Sequence, residues 1–181
     1  MKPAPFAYAD PRTVADAIAL LEEHGMDAKV LAGGQSLVPL LNMRLARPAL
    51  LVDINRIEGL DYIRESGGAI AIGAMTRQRA VERSALVREK LPLLHEAMTF
   101  IAHPQIRNRG TIGGSLAHAD PAAELPAVAL VLQAEFQIAG PGGTRTVAAQ
   151  DFFVTYLTSC LEASEILTEV RFPPLPPGTG W

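Results

Sequence analysis

The order of apolar and polar positions divides this chain into two textures. In the first, Val14, Ala17, Ile18 and Leu21 recur at helical spacing, with Glu22 and Glu23 on the opposite side. Thr13, after Asp10-Pro11, is placed to cap this helix, and Gly25 to stop it. Ala28 to Leu31 reads as a short buried strand, Leu37 to about Leu45 as a helix, and Leu50 to Ile54 as a second strand. Pro39 falls at the third helical position, where its missing N–H costs no hydrogen bond. Strand, helix and strand in so few residues predict a small parallel βαβ lobe over residues 1–55.

From residue 56 to 172 the pattern changes. Two runs around Ser66-Gly67-Gly68 read as a hairpin, and Thr76 as the cap of a helix to about Arg83. Two short helical segments surround Pro92, and an apolar helix spans about Ala122 to Leu132. A second hairpin turns at Gly140-Pro141-Gly142-Gly143. Glu165 to Phe172 is a final strand, with Ile166, Thr168, Val170 and Phe172 expected on one side. The whole is an α+β fold: a small parallel lobe followed by a lobe built on a mixed or antiparallel sheet with helices. The tail from Pro173 to Trp181 has no periodicity, is rich in Pro and reads as a linker, as though the chain stopped at a domain boundary.

The chain has 181 residues, of which 49% are hydrophobic and 19% charged, so it can fill a core and does not read as disordered. A net charge of −3 argues against a general nucleic-acid binder. The single cysteine, Cys160, cannot by itself hold an iron–sulfur cluster or a structural zinc, and reads as a buried structural thiol. The N-terminus lacks an apolar signal core and no apolar stretch is long enough to span a bilayer, so a cytoplasmic location is the default expectation.

Candidate chemistry concentrates in two glycine pairs. Ala32-Gly33-Gly34-Gln35-Ser36 follows the first short strand, and Thr111-Ile112-Gly113-Gly114-Ser115 precedes the apolar helix. Both read as turns that expose main-chain N–H groups to an anion, and each ends in Ser, a helix cap or a hydroxyl donor. Neither is a Walker loop, because no Lys-Ser/Thr pair follows, and neither has the GxGxxG dinucleotide pattern. Asp53 reads as a strand-end residue. Arg107 and Arg109 either neutralise phosphate or bind a partner, or are solvated loop arginines, and spacing alone favours the last. His103 and His118 read as structural, and no histidine pair has metal-ligand spacing. Glu124 has two readings: a surface helix residue, or an acceptor for sugar-like hydroxyls. No catalytic acid, base, nucleophile or metal ligand is assigned.

Two long segments carry a family likeness. Ala32 to Pro48 (AGGQSLVPLLNMRLARP) and Ile101 to Ala127 (IAHPQIRNRGTIGGSLAHADPAAELPA) together resemble the FAD-binding medium subunit of molybdenum hydroxylases. That group includes carbon monoxide dehydrogenase, nicotine and isoquinoline oxidoreductases and xanthine dehydrogenase. The resemblance covers essentially the whole chain and implies a two-lobed PCMH-type FAD-binding fold. It implies that Ala32, Gly33, Gly34, Gln35, Ser36, Thr111, Ile112, Gly113, Gly114 and Ser115 embrace the FAD diphosphate. Glu124 stands where the family usually has an Asp near ribityl or ribose hydroxyls, and Ile101 and the main chain near Leu167 match positions beside the flavin. The likeness further implies that FAD in this chain carries electrons from [2Fe–2S] clusters of a small subunit to an external acceptor. A separate large subunit would hold molybdopterin, the assembly being a dimer of heterotrimers. By this resemblance, a C-terminal domain carried by relatives is expected to be absent here. The competing readings are a stand-alone flavin oxidase or reductase and a non-catalytic FAD-binding module without partners.

Overall fold

The structure, a computed structural model, describes residues 1–174. The last seven residues of the linker-like tail lie outside the described residues.

The chain opens with β1 (Ala7–Ala9), α1 (Val14–His24), β2 (Ala28–Leu31), α2 (Leu37–Asn42) and β3 (Leu50–Asp53). The Thr13 side chain accepts from the Asp16 N–H at the start of α1, and Gly25 ends it at φ 53°. The three strands form one parallel sheet in the order β1-β3-β2. Ala17, Ile18 and Leu21 of α1 pack with Leu50, Val52 and Ile54 into a first core. β1 is an addition to the expected βαβ unit. It is an edge strand of three residues, mostly exposed, and so leaves no alternation for the sequence to show.

α2 stops three residues before the expected Leu45. Arg44 takes φ 59°, its N–H donates to Leu41 O, and the Leu45 N–H donates back to Leu40 O at 2.9 Å. These are the two bonds of a Schellman ending, with arginine where glycine usually marks the stop.

The second part contains β4 (Ile63–Ser66), β5 (Ala69–Gly73), α3 (Gln78–Arg83), α4 (Ala85–Lys90), α5 (Pro92–Phe100), α6 (Pro104–Arg107), α7 (Ile112–His118) and α8 (Glu124–Val131). It continues through β6 (Glu135–Gly140), β7 (Gly143–Ala148), α9 (Ala149–Phe152), β8 (Phe153–Thr155), β9 (Thr158–Ser159) and β10 (Ile166–Phe172). The main sheet has the order β4-β5-β10-β6-β7 and every pairing in it is antiparallel. The predicted hairpins are present, the first turning through Gly67 and Gly68 at φ 61° and 83°. Helices α5, α7, α8 and α9 cover one face of this sheet around Met98, Leu116, Leu125, Phe136 and Phe152.

Three local expectations are corrected. Thr76 does not cap α3: its hydroxyl pairs with the backbone of Tyr62, and the helix begins at Gln78 without a side-chain cap. β10 does not alternate strictly, because its register shifts between Leu167 and Glu169. Ile166 therefore joins the first core, while Leu167, Val170 and Phe172 join the second. Cys160 is partly exposed rather than buried, with its Sγ 4.0 Å from an Arg145 nitrogen.

Candidate functional site

The loop after β2 runs from the parallel sheet into α2, and it is short of hydrogen-bond partners. Among the described residues, the N–H groups of Gly33, Gly34, Gln35 and Ser36 donate to no protein acceptor. Gly34 sits at φ 74°, where a side chain would be strained. Gly33 is buried, and a Cβ on it would lie 2.5 Å from Arg109 O and 2.8 Å from Gly110 Cα. The glycine therefore lets the first lobe rest directly on the backbone of the segment between α6 and α7. An open cleft of about 360 Å³ lies beside this loop, lined by Ala32 to Gln35 with Val38, Pro39, Asp53, Asn55, Ile106 and Arg109.

The second glycine pair behaves differently from the expected turn. Thr111 is the N-cap of α7 and its Oγ1 accepts from the Gly114 N–H, so both glycines lie in the first helical turn. The Ile112, Gly113 and Ser115 N–H groups donate to Thr76 O, Ala74 O and Thr111 O. No free N–H remains from Ile112 to Ser115 to meet an anion. The glycines serve close approach instead: a Cβ on Gly113 would lie 2.5 Å from Ala74 Cβ, and one on Gly114 would lie 3.4 Å from Ala32 Cβ. The structure thus brings the two motifs side by side, although residues 111–115 do not line the cleft. Glu124 is half-buried at the first position of α8, where its charge suits the helix N-terminus. Ile101 and the Leu167 side chain lie in the second core.

A polar network unannounced by any sequence motif closes the floor of the cleft. Asp53 Oδ2 accepts from Tyr8 Oη at 2.6 Å, and Asp53 Oδ1 accepts from the Asn55 backbone and side chain. Asn55 Nδ2 also donates to Ala32 O at 2.8 Å. Arg77 bridges the lobes, giving one nitrogen to Asn55 Oδ1 at 2.6 Å and another to Arg109 O at 2.5 Å. Partial burial pulls the Asp53 carboxyl up, but the bonds from Tyr8 and Asn55 and the charge of Arg109 together hold it below the usual carboxylate range. Asp53 is thus an ionised cleft wall rather than only a strand end. Burial and the nearby Arg109 charge lower the Arg77 guanidinium.

The two arginines of the intervening segment part company. Arg107 is buried, contrary to the solvated reading: it pairs with Glu82 at 2.9 Å and donates to Ile101 O and Ala102 O. Arg109 is exposed at the cleft. His103 is exposed and His118 is half-buried at the end of α7. Among the described residues no group of three or more His, Cys, Asp or Glu is arranged to hold a metal ion, and no helix is long and apolar enough to cross a membrane.

Residues 4–175 match the family described as the FAD binding domain in molybdopterin dehydrogenase. The chain belongs to this family. It is 52% identical, over 99% of its length, to the 6-hydroxypseudooxynicotine dehydrogenase complex subunit alpha of Paenarthrobacter nicotinovorans, of which it covers 61%. It is 49% identical, over its full length, to the carbon monoxide dehydrogenase medium chain of Hydrogenophaga pseudoflava, of which it covers 63%. The solved carbon monoxide dehydrogenase from Hydrogenophaga pseudoflava that lacks the Mo-pyranopterin moiety superimposes with a TM-score of 0.97 over all of this chain and 63% of that one, at 48% identity. The chain thus spans somewhat under two thirds of the length of these relatives. For an FAD binding domain the expected α+β architecture is present, a parallel lobe against an antiparallel one.

Proposed function

We propose that this chain is the FAD-binding, electron-transfer part of a molybdopterin-dependent hydroxylase or dehydrogenase, an oxidoreductase component that receives electrons from [2Fe–2S] clusters in a partner subunit and passes them to an external acceptor. The observation that carries this reading is the row of four unpartnered N–H groups at Gly33 to Ser36, on a glycine loop beside an open cleft with Arg109. A diphosphate requires donors of this kind, and glycine at 33 and 34 permits the close contact between lobes and the positive φ that this loop adopts.

Lobe 1–55 supplies the donors through Ala32, Gly33, Gly34, Gln35 and Ser36. Lobe 56–172 supplies the opposing wall. There, Thr111, Ile112, Gly113, Gly114 and Ser115 contribute close backbone approach and the Ser115 hydroxyl rather than free N–H groups. Arg109 adds positive charge at the anion, and Glu124 offers a carboxylate to ribityl or ribose hydroxyls. Bound FAD supplies the redox chemistry; the chain's residues bind and orient it. Molybdopterin would reside in a large subunit and the clusters in a small one, in line with a chain that has one cysteine. We propose a dimer of heterotrimers in the cytoplasm.

The test is the visible spectrum of the purified chain after addition of FAD and desalting. A retained flavin band that Gly33→Val abolishes is the expected result. A chain that stays colourless, or a variant that holds FAD as tightly as the parent, overturns the reading.

A further inference from the structure

Asn55 and Arg77 contact the segments around both glycine motifs. Asn55 Nδ2 holds Ala32 O at 2.8 Å, and Gln35 Nε2 holds Gly33 O at 2.9 Å. In a planar trans peptide the C=O and the following N–H point in opposite directions. Fixing the carbonyl of Ala32 therefore turns the Gly33 N–H away from Asn55, and fixing that of Gly33 orients the Gly34 N–H. On the other lobe Arg77 holds Arg109 O at 2.5 Å, the same oxygen that a Cβ on Gly33 would strike. The Arg77 backbone also bridges to Thr111, the cap of the second glycine motif. The two side chains meet at 2.6 Å, through Arg77 Nη2 and Asn55 Oδ1.

We propose that Asn55 and Arg77 form a latch that presets the cradle: positioning residues, of which Asn55 aims the Gly33 N–H, and which together seat one lobe on the other before any ligand arrives. This inference rests on the diphosphate reading above for its binding consequence, but not for its geometric one. Arginine suits the role because its planar fork bonds two acceptors at fixed angles; lysine, with a single nitrogen, cannot span both in that way.

The experiment uses the full chain, with FAD as the probe, and compares Asn55→Ala, Arg77→Ala, Arg77→Lys and the double alanine variant. Arg145→Ala, which breaks a pair with Glu165 remote from the cleft, is a stability control. The ligand-free chain is examined by ¹⁵N–¹H spectra and amide exchange at Gly33 and Gly34. We expect Asn55→Ala to move the Gly33 resonance and speed its exchange. Each alanine variant should weaken FAD binding about 10-fold or more, as lost pre-organisation does, and Arg77→Lys should fall between parent and alanine. The double variant should lose less than the product of the two singles, and Arg145→Ala should leave binding within about 2-fold whatever its melting temperature. If the parent binds no FAD, the diphosphate reading fails, and the latch stands or falls on the ligand-free spectra. If Asn55→Ala leaves the Gly33 resonance in place, or if the losses multiply or merely follow melting temperature, the latch is overturned while the diphosphate reading stands.

Discussion

Four glycines look alike in the sequence and do different work in the fold. At Gly33 an added methyl meets backbone atoms of the opposite lobe at 2.5 and 2.8 Å, and backbone cannot swing aside. At Gly113 it meets Ala74 at similar distances inside the second core. Overpacking of this kind costs about 1–3 kcal/mol. At Gly114 the only atom closer than 3 Å is Thr111 Oγ1, which a rotation displaces at the loss of the cap. That loss is about 1 kcal/mol, and replacing glycine by alanine in a helix returns about the same. Gly114→Ala should therefore melt within about 0.5 kcal/mol of the parent, by the near-cancellation of these terms. Gly33→Ala and Gly113→Ala should be clearly destabilised. Thermal melts of the three variants check this ranking, and an equal loss in all three contradicts it. The first pair, Gly33 and Gly34, was legible as a turn with exposed main-chain N–H groups because its geometry is local. The polar network beside it was not: Tyr8, Asn55 and Arg77 are ordinary polar residues until the fold places them together.

At the scale of elements, the sequence showed whatever repeats at a regular period and missed whatever depends on packing. α1 and both hairpins follow from spacing and turn residues. α7 was hidden because two glycines weaken a helix by about 2 kcal/mol in isolation; the Thr111 cap and the burial of Ile112 and Leu116 override that. The bulge in β10 likewise has no local signature. A further element-scale feature is the ion network that ties α3 to α6. Glu82 lies between Arg79 at 2.8 Å and the buried Arg107 at 2.9 Å, and Arg107 also secures the carbonyls of Ile101 and Ala102. Burial opposes the Glu82 charge, but the two arginines outweigh it and hold this carboxyl below its ordinary value of 4.5. A depressed folded-state value means stability present above pH 4.5 and lost as the pH falls through the folded value. Glu82→Gln should therefore flatten the acid limb of the stability curve below pH 4.5 while lowering stability at neutral pH. Arg107→Met should cost about 3 kcal/mol, the low end for breaking a buried pair because Arg79 still faces Glu82. Urea unfolding at several pH values reads both effects.

For the molecule as a whole, the two lobes are less separate than their textures suggest. The first core takes in Met75 and Ile166 from beyond the residue 55 boundary, and Ala139 packs against it. Asn55, Arg77 and Gly33 join the lobes across the cleft floor. Denaturation should therefore be one cooperative transition, with amides of β3 and β5 losing protection together. Two resolved transitions would show that the lobes unfold independently.

The antiparallel sheet is also closed from its centre. β10 comes last in sequence among the described strands, yet it fills the gap between β5 and β6, pairing Glu169 with both Gly73 and Gln137. A ribosome must therefore deliver Phe172 before the earlier hairpins can zip together, and until then each presents an unpaired edge to its neighbours. Such late, long-range closure is slow. The nascent chain is thus exposed to aggregation until β10 emerges, and chaperone demand during expression should fall sharply once it has.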